Sequence, residues 1–153
     1  MWDVAPFPPT FVTTDAVVVA LGHVLVIKRG RNPGKGLYAL PGGFLEQDER
    51  IVDGCLRELK EETHFDLPKA KLESMIKDQH VFDHPLRDPR GRTITHAFLF
   101  DLKDAKALEF YNVQADDDAS EVLWMPINEI QAREDEFFND HAQMIRFFLN
   151  RMR

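Results

Sequence analysis

With 153 residues, 44% of them hydrophobic and 12 of them Phe, the chain is long enough to bury one domain-sized core. A formal net charge of −7 argues against general nucleic-acid affinity, which is driven by Lys and Arg on phosphates; an anionic substrate would need local positive charge or metal ions. The single Cys55 excludes an intrachain disulfide and fits a reducing compartment, and the lack of a signal-peptide pattern or an apolar run of roughly 18 residues makes a cytoplasmic protein without membrane partners the expectation.

In chain order, residues 1–10 (MWDVAPFPPT) are proline-rich and read as an extended lead-in, leaving 11–153 as the folded domain. Phe11 to Ala20 is rich in Val and Thr, and after a turn at Leu21-Gly22-His23 a second run reaches Arg29, which predicts a hairpin. Arg31 to Gly36 is a loop by composition. Leu37 to Leu40 is a short strand leading into the turn Pro41-Gly42-Gly43, and behind it one predicted helix carries Glu49, Arg57, Glu58, Glu61 and Glu62. Leu72 to Phe82 and Thr93 to Leu102 read as strands around the polar loop HPLRDPRGR. Val122 to Met125 is a short strand, and Pro126 to Ile130 starts a helical turn. Asp140 to Arg151 is a final amphipathic helix with Met144, Ile145, Phe147 and Phe148 among its apolar residues. Strands and helices intermix, which predicts an α/β domain with a mixed sheet between helices.

The carboxylate helix carries the chemistry. At about 100° per residue, Glu58, Glu61 and Glu62 share roughly a third of the circumference, and Val52, Leu56 and Leu59 form a separate apolar stripe. One face can pack on a sheet while the other presents carboxylates to a cleft. Like charges at these spacings repel, and a divalent cation would remove that repulsion; hard oxygen donors suit Mg²⁺ or Mn²⁺. A Glu-rich face is also an ordinary solvated surface, so the wider spacing decides: Gly43, five residues, Glu49, seven residues, Arg57-Glu58-Leu59, one residue, Glu61-Glu62. This register resembles the Nudix hydrolase family at every charged position. His64 departs from it, standing where the pattern has a glycine that ends the helix in a left-handed conformation.

The resemblance implies an α/β/α sandwich and hydrolysis of a diphosphate linkage with Mg²⁺, for which Mn²⁺ substitutes. It also implies Glu58 and Glu62 as metal ligands, Glu61 supporting a further ion, the Gly42 backbone carbonyl as another ligand, and Arg57 orienting the carboxylates. For Glu49, a charge placed at a helix N-terminus is the plainer account. The family takes its general base either from a box glutamate, here Glu61 or Glu62, or from an acidic residue on a late loop. Asp116-Asp117-Asp118 and Glu121 fall at about that place, with Asp117 and Glu121 the candidates, although adjacent aspartates also suit a solvated turn.

The segment VFDHPLRDPRGRTITHAFLF is similar to the matching region of a Nudix subgroup acting on ADP-ribose, which includes the Nudix half of bifunctional nicotinamide-mononucleotide adenylyltransferases. The lead-in resembles the junction before that half, which implies a domain excised or descended from such a fusion; the adenylyltransferase HxGH motif does not occur. The expected substrate is therefore a small nucleoside diphosphate derivative, ADP-ribose, cleaved to AMP and ribose 5-phosphate. Arg29, Arg90 and Arg92 are the candidates for phosphate, Phe82 or Trp2 for adenine, and Asp83 or His84 for ribose hydroxyls, each also compatible with a core or surface role. Rival readings are hydrolysis of NADH, a nucleotide sugar or an oxidised nucleoside triphosphate, and a module that senses ADP-ribose or NAD without cleaving it. A homodimer made through the N-terminal segment is a further expectation from the subgroup.

Overall fold

The computed structural model describes residues 2–108, 113–115 and 118–152. The elements are β1 (Phe11–Ala20), β2 (His23–Arg29), β3 (Tyr38–Ala39), β4 (Gly42–Phe44), α1 (Ile51–Thr63), α2 (Lys69–Ser74), β5 (Ile76–Phe82), β6 (Thr93–Asp101), β7 (Ala119–Pro126), α3 (Ile127–Ala132), a 3-10 turn (Glu134–Glu136) and α4 (His141–Arg151). They build one seven-stranded mixed sheet ordered β3-β2-β1-β6-β5, with β4 on β1 and β7 on β2.

The hairpin forks. β1 and β2 are paired at Val19–Val24 and Ala20–His23, beside the turn. Beyond that point β1 runs parallel to β6 from Phe11–Thr93 to Val19–Asp101, while β2 runs antiparallel to β7. β4 fills the open side of β1, with Asp15 opposite Gly42 and Thr13 opposite Phe44. This divergence makes room for a cleft between the two halves of the sheet.

Both faces are covered, giving the α/β/α sandwich. Ala16, Val18 and Leu25 point to the layer of α1, where Cys55, Leu56, Leu59 and Phe65 complete a core with Phe98 and Phe100. Val17, Val19, Val24 and Val26 point the other way and meet Met144, Ile145 and Phe148 of α4. Such two-sided burial explains why the second half of β1, Ala16 to Ala20, reads as a continuous apolar run rather than an alternating one. Cys55 is 1% exposed and burial pushes its thiol pKa up, consistent with a packing role.

Expected boundaries move: Gly42 and Gly43, expected in a turn, begin strand β4 and pair with β1. Leu72 belongs to a helix: Lys69–Ser74 is helical behind Pro68, Leu72 is that turn's buried apolar anchor, and the strand starts at Ile76. Glu49 lies before α1, because its carboxylate accepts the Glu46 N–H at 2.9 Å and is gripped by Arg57. The strand expected at Val122–Met125 extends over Ala119–Pro126, since β7 follows β2 along its whole length. Residues 2–10 are exposed, and no helix among the described residues is long and apolar enough to cross a membrane.

Candidate active site

A cleft of about 500 Å³ opens at the fork, with Thr13 and Asp15 from β1, Ile27 and Arg29 from β2, and Gly42, Gly43 and Phe44 from β4 along its walls. The acidic side comes from α1. Because the apolar stripe of α1 is pressed on the sheet, Glu58 and Glu62, one turn apart, are carried to the cleft beside β4. The glycines there keep space open, at Gly42 against backbone and at Gly43 against a side chain. A Cβ on Gly42 would collide with the Thr14 carbonyl, and one on Gly43 would sit 2.6 Å from Glu58 Oε1.

Arg57 holds this side together. Its Nε and Nη2 donate to the two Glu49 oxygens at 2.9 and 2.7 Å, and its Nη1 donates to Glu58 at 2.9 Å and Glu61 at 3.1 Å. Among the described residues Glu62 has no such partner, and its contact there is a long bond from the Gly42 N–H at 3.4 Å. Burial, followed by the neighbouring Glu58 charge, pushes the Glu62 carboxyl up to about 8. Glu58 is raised as well, by burial above all, despite Arg57. Two crowded carboxylates, one lacking a counter-charge at hydrogen-bond distance, are a donor set suited to a hard divalent cation. Among the described residues, no three acidic, imidazole or thiol groups converge on one point, because Glu61 is exposed and turned to Arg57.

The opposite side is basic. Arg29 donates from Nε to the Pro33 carbonyl at 2.7 Å and lies 4.1 Å from the Phe138 ring centroid. Arg90 is forked onto Asp88, with its guanidinium carbon 5.3 Å from the Phe44 ring and 5.8 Å from the Phe138 ring. Burial, and next the Arg90 charge, lowers the Arg29 pKa. Two such cations facing one cavity are a site prepared for an anion. Arg31 also lines the cleft and pairs with Asp118.

Beneath lies a buried polar group that the sequence reading did not single out. Asp15 accepts from Thr95 Oγ1 at 2.5 Å, and burial pushes its carboxyl up to about 7. Oδ1 of Asp15 is 3.8 Å from His141 Nε2. The His141 ring is kept neutral, its pKa lowered to about 3 by burial; its Nδ1 accepts the Leu40 N–H at 2.9 Å, which leaves the proton on Nε2, facing Asp15. A lone charge within the run TTDAVVV was the available signal for Asp15. His141 and Phe138 carry no comparable mark.

Of the expected site residues, Gly42, Arg57, Glu58, Glu62, Arg29 and Arg90 meet at the cleft. Others lie elsewhere. Phe82 packs against Phe147 and Phe148 in the α4 core. His84 is exposed and its Nδ1 accepts the Leu86 N–H at 3.1 Å; Asp83 and Trp2 are exposed too. Arg92 does not line the cleft, and its carbonyl caps β1 by accepting the Phe11 N–H at 3.0 Å. Glu121 is exposed opposite Lys28 on β7 and also stands outside the lining. Asp117 lies outside the described residues, whereas its neighbour Asp118 reaches the cleft.

The NUDIX domain model matches residues 10–148, nearly the whole chain. The chain belongs to the Nudix family. This Nudix hydrolase is 34% identical over 138 residues to an ADP-ribose pyrophosphatase of Methanocaldococcus jannaschii, covering 90% of the chain and 72% of that protein. It superposes with a TM-score of 0.91 and 42% identity on a bifunctional NMN adenylyltransferase/ADP ribose pyrophosphatase of Francisella tularensis, crystallised with AMP and a Mn ion. That match covers 96% of the chain but spans 43% of the length of the Francisella protein. The NUDIX domain of Shewanella oneidensis NrtR, solved with ADP ribose, matches at 26% identity and a TM-score of 0.79, covering 99% of the chain and 95% of the domain.

Proposed function

We propose that this Nudix hydrolase cleaves the diphosphate bond of ADP-ribose to AMP and ribose 5-phosphate, using Mg²⁺ with Mn²⁺ as a substitute. The observation that carries the proposal is the placement of Glu58 and Glu62 and of Arg29 and Arg90 on one cleft. A diphosphate is a ligand that uses both sides: arginine donors match its non-bridging oxygens, and the carboxylates would hold a cation that offsets its charge. Glu58 and Glu62, with the Gly42 carbonyl, would hold the metal, which when bound lowers the pKa of water and neutralises phosphate charge. Arg57 keeps Glu58 turned to the cleft, and Gly43 leaves the space in which that carboxylate sits. Arg29 and Arg90 orient the diphosphate, and Phe44, 46% exposed at the rim, offers a ring face to a base. The likeness to the Methanocaldococcus ADP-ribose pyrophosphatase and to the Shewanella domain solved with ADP ribose supports the choice of substrate.

The test is to incubate the purified protein with ADP-ribose, with and without Mg²⁺, and to separate the products. Metal-dependent AMP and ribose 5-phosphate are expected. A second reading is favoured by the NrtR likeness: a module that binds ADP-ribose without cleaving it. Binding without cleavage would establish that reading, and cleavage of NADH or a nucleotide sugar in preference to ADP-ribose would replace the substrate.

A further inference from the structure

We infer that the ion pair between buried Arg87 and partly buried Asp140 is a positioning clamp that locks the loop carrying Arg90 to the start of α4, setting Arg90 beside Phe138 and within reach of the anion held by Arg29. The inference rests on the diphosphate reading of the cleft.

Arg87 is 3% exposed at its side chain and grips Asp140 with two parallel bonds, Nε to Oδ2 at 2.9 Å and Nη2 to Oδ1 at 2.7 Å. The partners are 53 positions apart, and among the described residues no other hydrogen bond joins the 83–92 loop to the residues around the start of α4. At its far end the loop is tied to the strands, the Arg92 carbonyl accepting the Phe11 N–H and the Gly91 carbonyl the Thr93 hydroxyl, while the bonds around Arg87 close within the loop, as from Arg87 N–H to the His84 carbonyl and from Gly91 N–H to the Asp88 carbonyl. Each end of the pair leads to one part of the basic wall. On the loop, the next residue is Asp88, 2% exposed at its side chain, which forks Arg90. On the other side, two residues before Asp140, stands Phe138, the ring that lies near both guanidinium groups. Arg90 and Arg29 repel each other, so an unanchored Arg90 would swing out to solvent. A planar bidentate fork fixes orientation as well as distance, which a lysine in the same place would not do.

The test combines Arg87→Lys with Arg90→Ala in a cycle, measuring inorganic pyrophosphate binding by calorimetry and kcat and KM for ADP-ribose with Mg²⁺. Because a single buried charge left alone can unfold a protein, the pair Arg87→Met with Asp140→Leu removes both charges and serves as a second probe. The expected result is about a tenfold loss in pyrophosphate affinity and a similar rise in KM for Arg87→Lys, the size of one charged hydrogen-bonding group, with little change in kcat. No further loss should appear when it is added to Arg90→Ala, and the double replacement should behave alike. Wild-type pyrophosphate affinity in Arg87→Lys, or losses that multiply with those of Arg90→Ala, would overturn the clamp. Pyrophosphate binding by the wild type without ADP-ribose cleavage would overturn the substrate reading instead, and the binding cycle would still decide the clamp.

Discussion

Gly43 and Glu58 compete for one space, and this sets the function of a single methyl group. An alanine Cβ at 43 would press on the end of the Glu58 side chain, 2.6 Å from Oε1, rather than on backbone. A flexible carboxylate can move aside, so Gly43→Ala should leave the melting temperature nearly unchanged. It should weaken metal-dependent turnover by about tenfold or more, the usual cost of misplacing a ligand. Unchanged turnover would show that Glu58 does not act from this position. Glu62→Gln keeps the shape and removes the charge. It should fold normally and lose about a hundredfold or more in kcat, the scale seen when one charge-stabilising group is removed. Wild-type turnover in that variant would remove Glu62 from the mechanism.

Helix α1 shows how much of one element is readable from spacing and what the spacing leaves out. Its apolar stripe and its carboxylate face were visible in the residue pattern, whereas His64 in place of the pattern's glycine left its end open. The pattern did not show that Glu61 would be drawn to Arg57 and away from the cleft, since helical geometry places Glu58, Glu61 and Glu62 on one face alike. His64 adopts the left-handed conformation that a glycine takes without strain, at φ 52° and ψ 31°, and its N–H caps the Lys60 carbonyl at 2.8 Å. His64→Gly should relieve strain of about 1 kcal/mol, partly offset by the freedom glycine gains in the unfolded chain. Thermal unfolding should therefore rise by at most about 2–4 °C with kcat unchanged. A lower melting temperature would mean that the imidazole makes a compensating contact. The misassigned start of β5 has a similar lesson, because a single buried Leu72 in a short polar run does not distinguish a helical turn from a strand.

At the scale of the molecule, the cleft stores unfavourable charge that a metal would relieve, and pH reports it. The carboxyls of Asp15 and Glu62 hold protons up to about 7 and about 8 in the metal-free fold, against 3.8 and 4.5 as ordinary values. Between those limits the folded chain binds more protons at these two groups than the unfolded one, so their contribution to stability is greatest below the ordinary values and is lost as pH rises through 7 and 8, outweighing the single opposite contribution of His141 between about 3 and 6.5. Melting temperatures of the metal-free protein should thus decline from pH 5 to pH 8.5 on this account, and Glu62→Gln should flatten the slope. Mg²⁺ or Mn²⁺ should raise the melting temperature more at pH 8 than at pH 5, where protons compete for the same oxygens. An equal metal effect at both pH values would detach the cation from these carboxylates.

The residue pattern by itself determined the family, the mixed sheet between helices and the box on α1, because glycine, charge and apolar spacing along one helix are local properties that survive without knowledge of the partner. The same is true of Arg29 and Arg90, which stood out as cations beside turns. Only the tertiary structure decided which of these groups meet. Asp15 lies far in sequence from Phe138 and His141, and they meet because β1 and β2 diverge after two paired positions, opening the cleft. Phe82, His84 and Arg92 lie near Arg90 in sequence, yet strand alternation and the turn of the loop send them to the core or the outer surface. Nearness along the chain is not nearness in a sheet, where hydrogen-bonded register sets the neighbours.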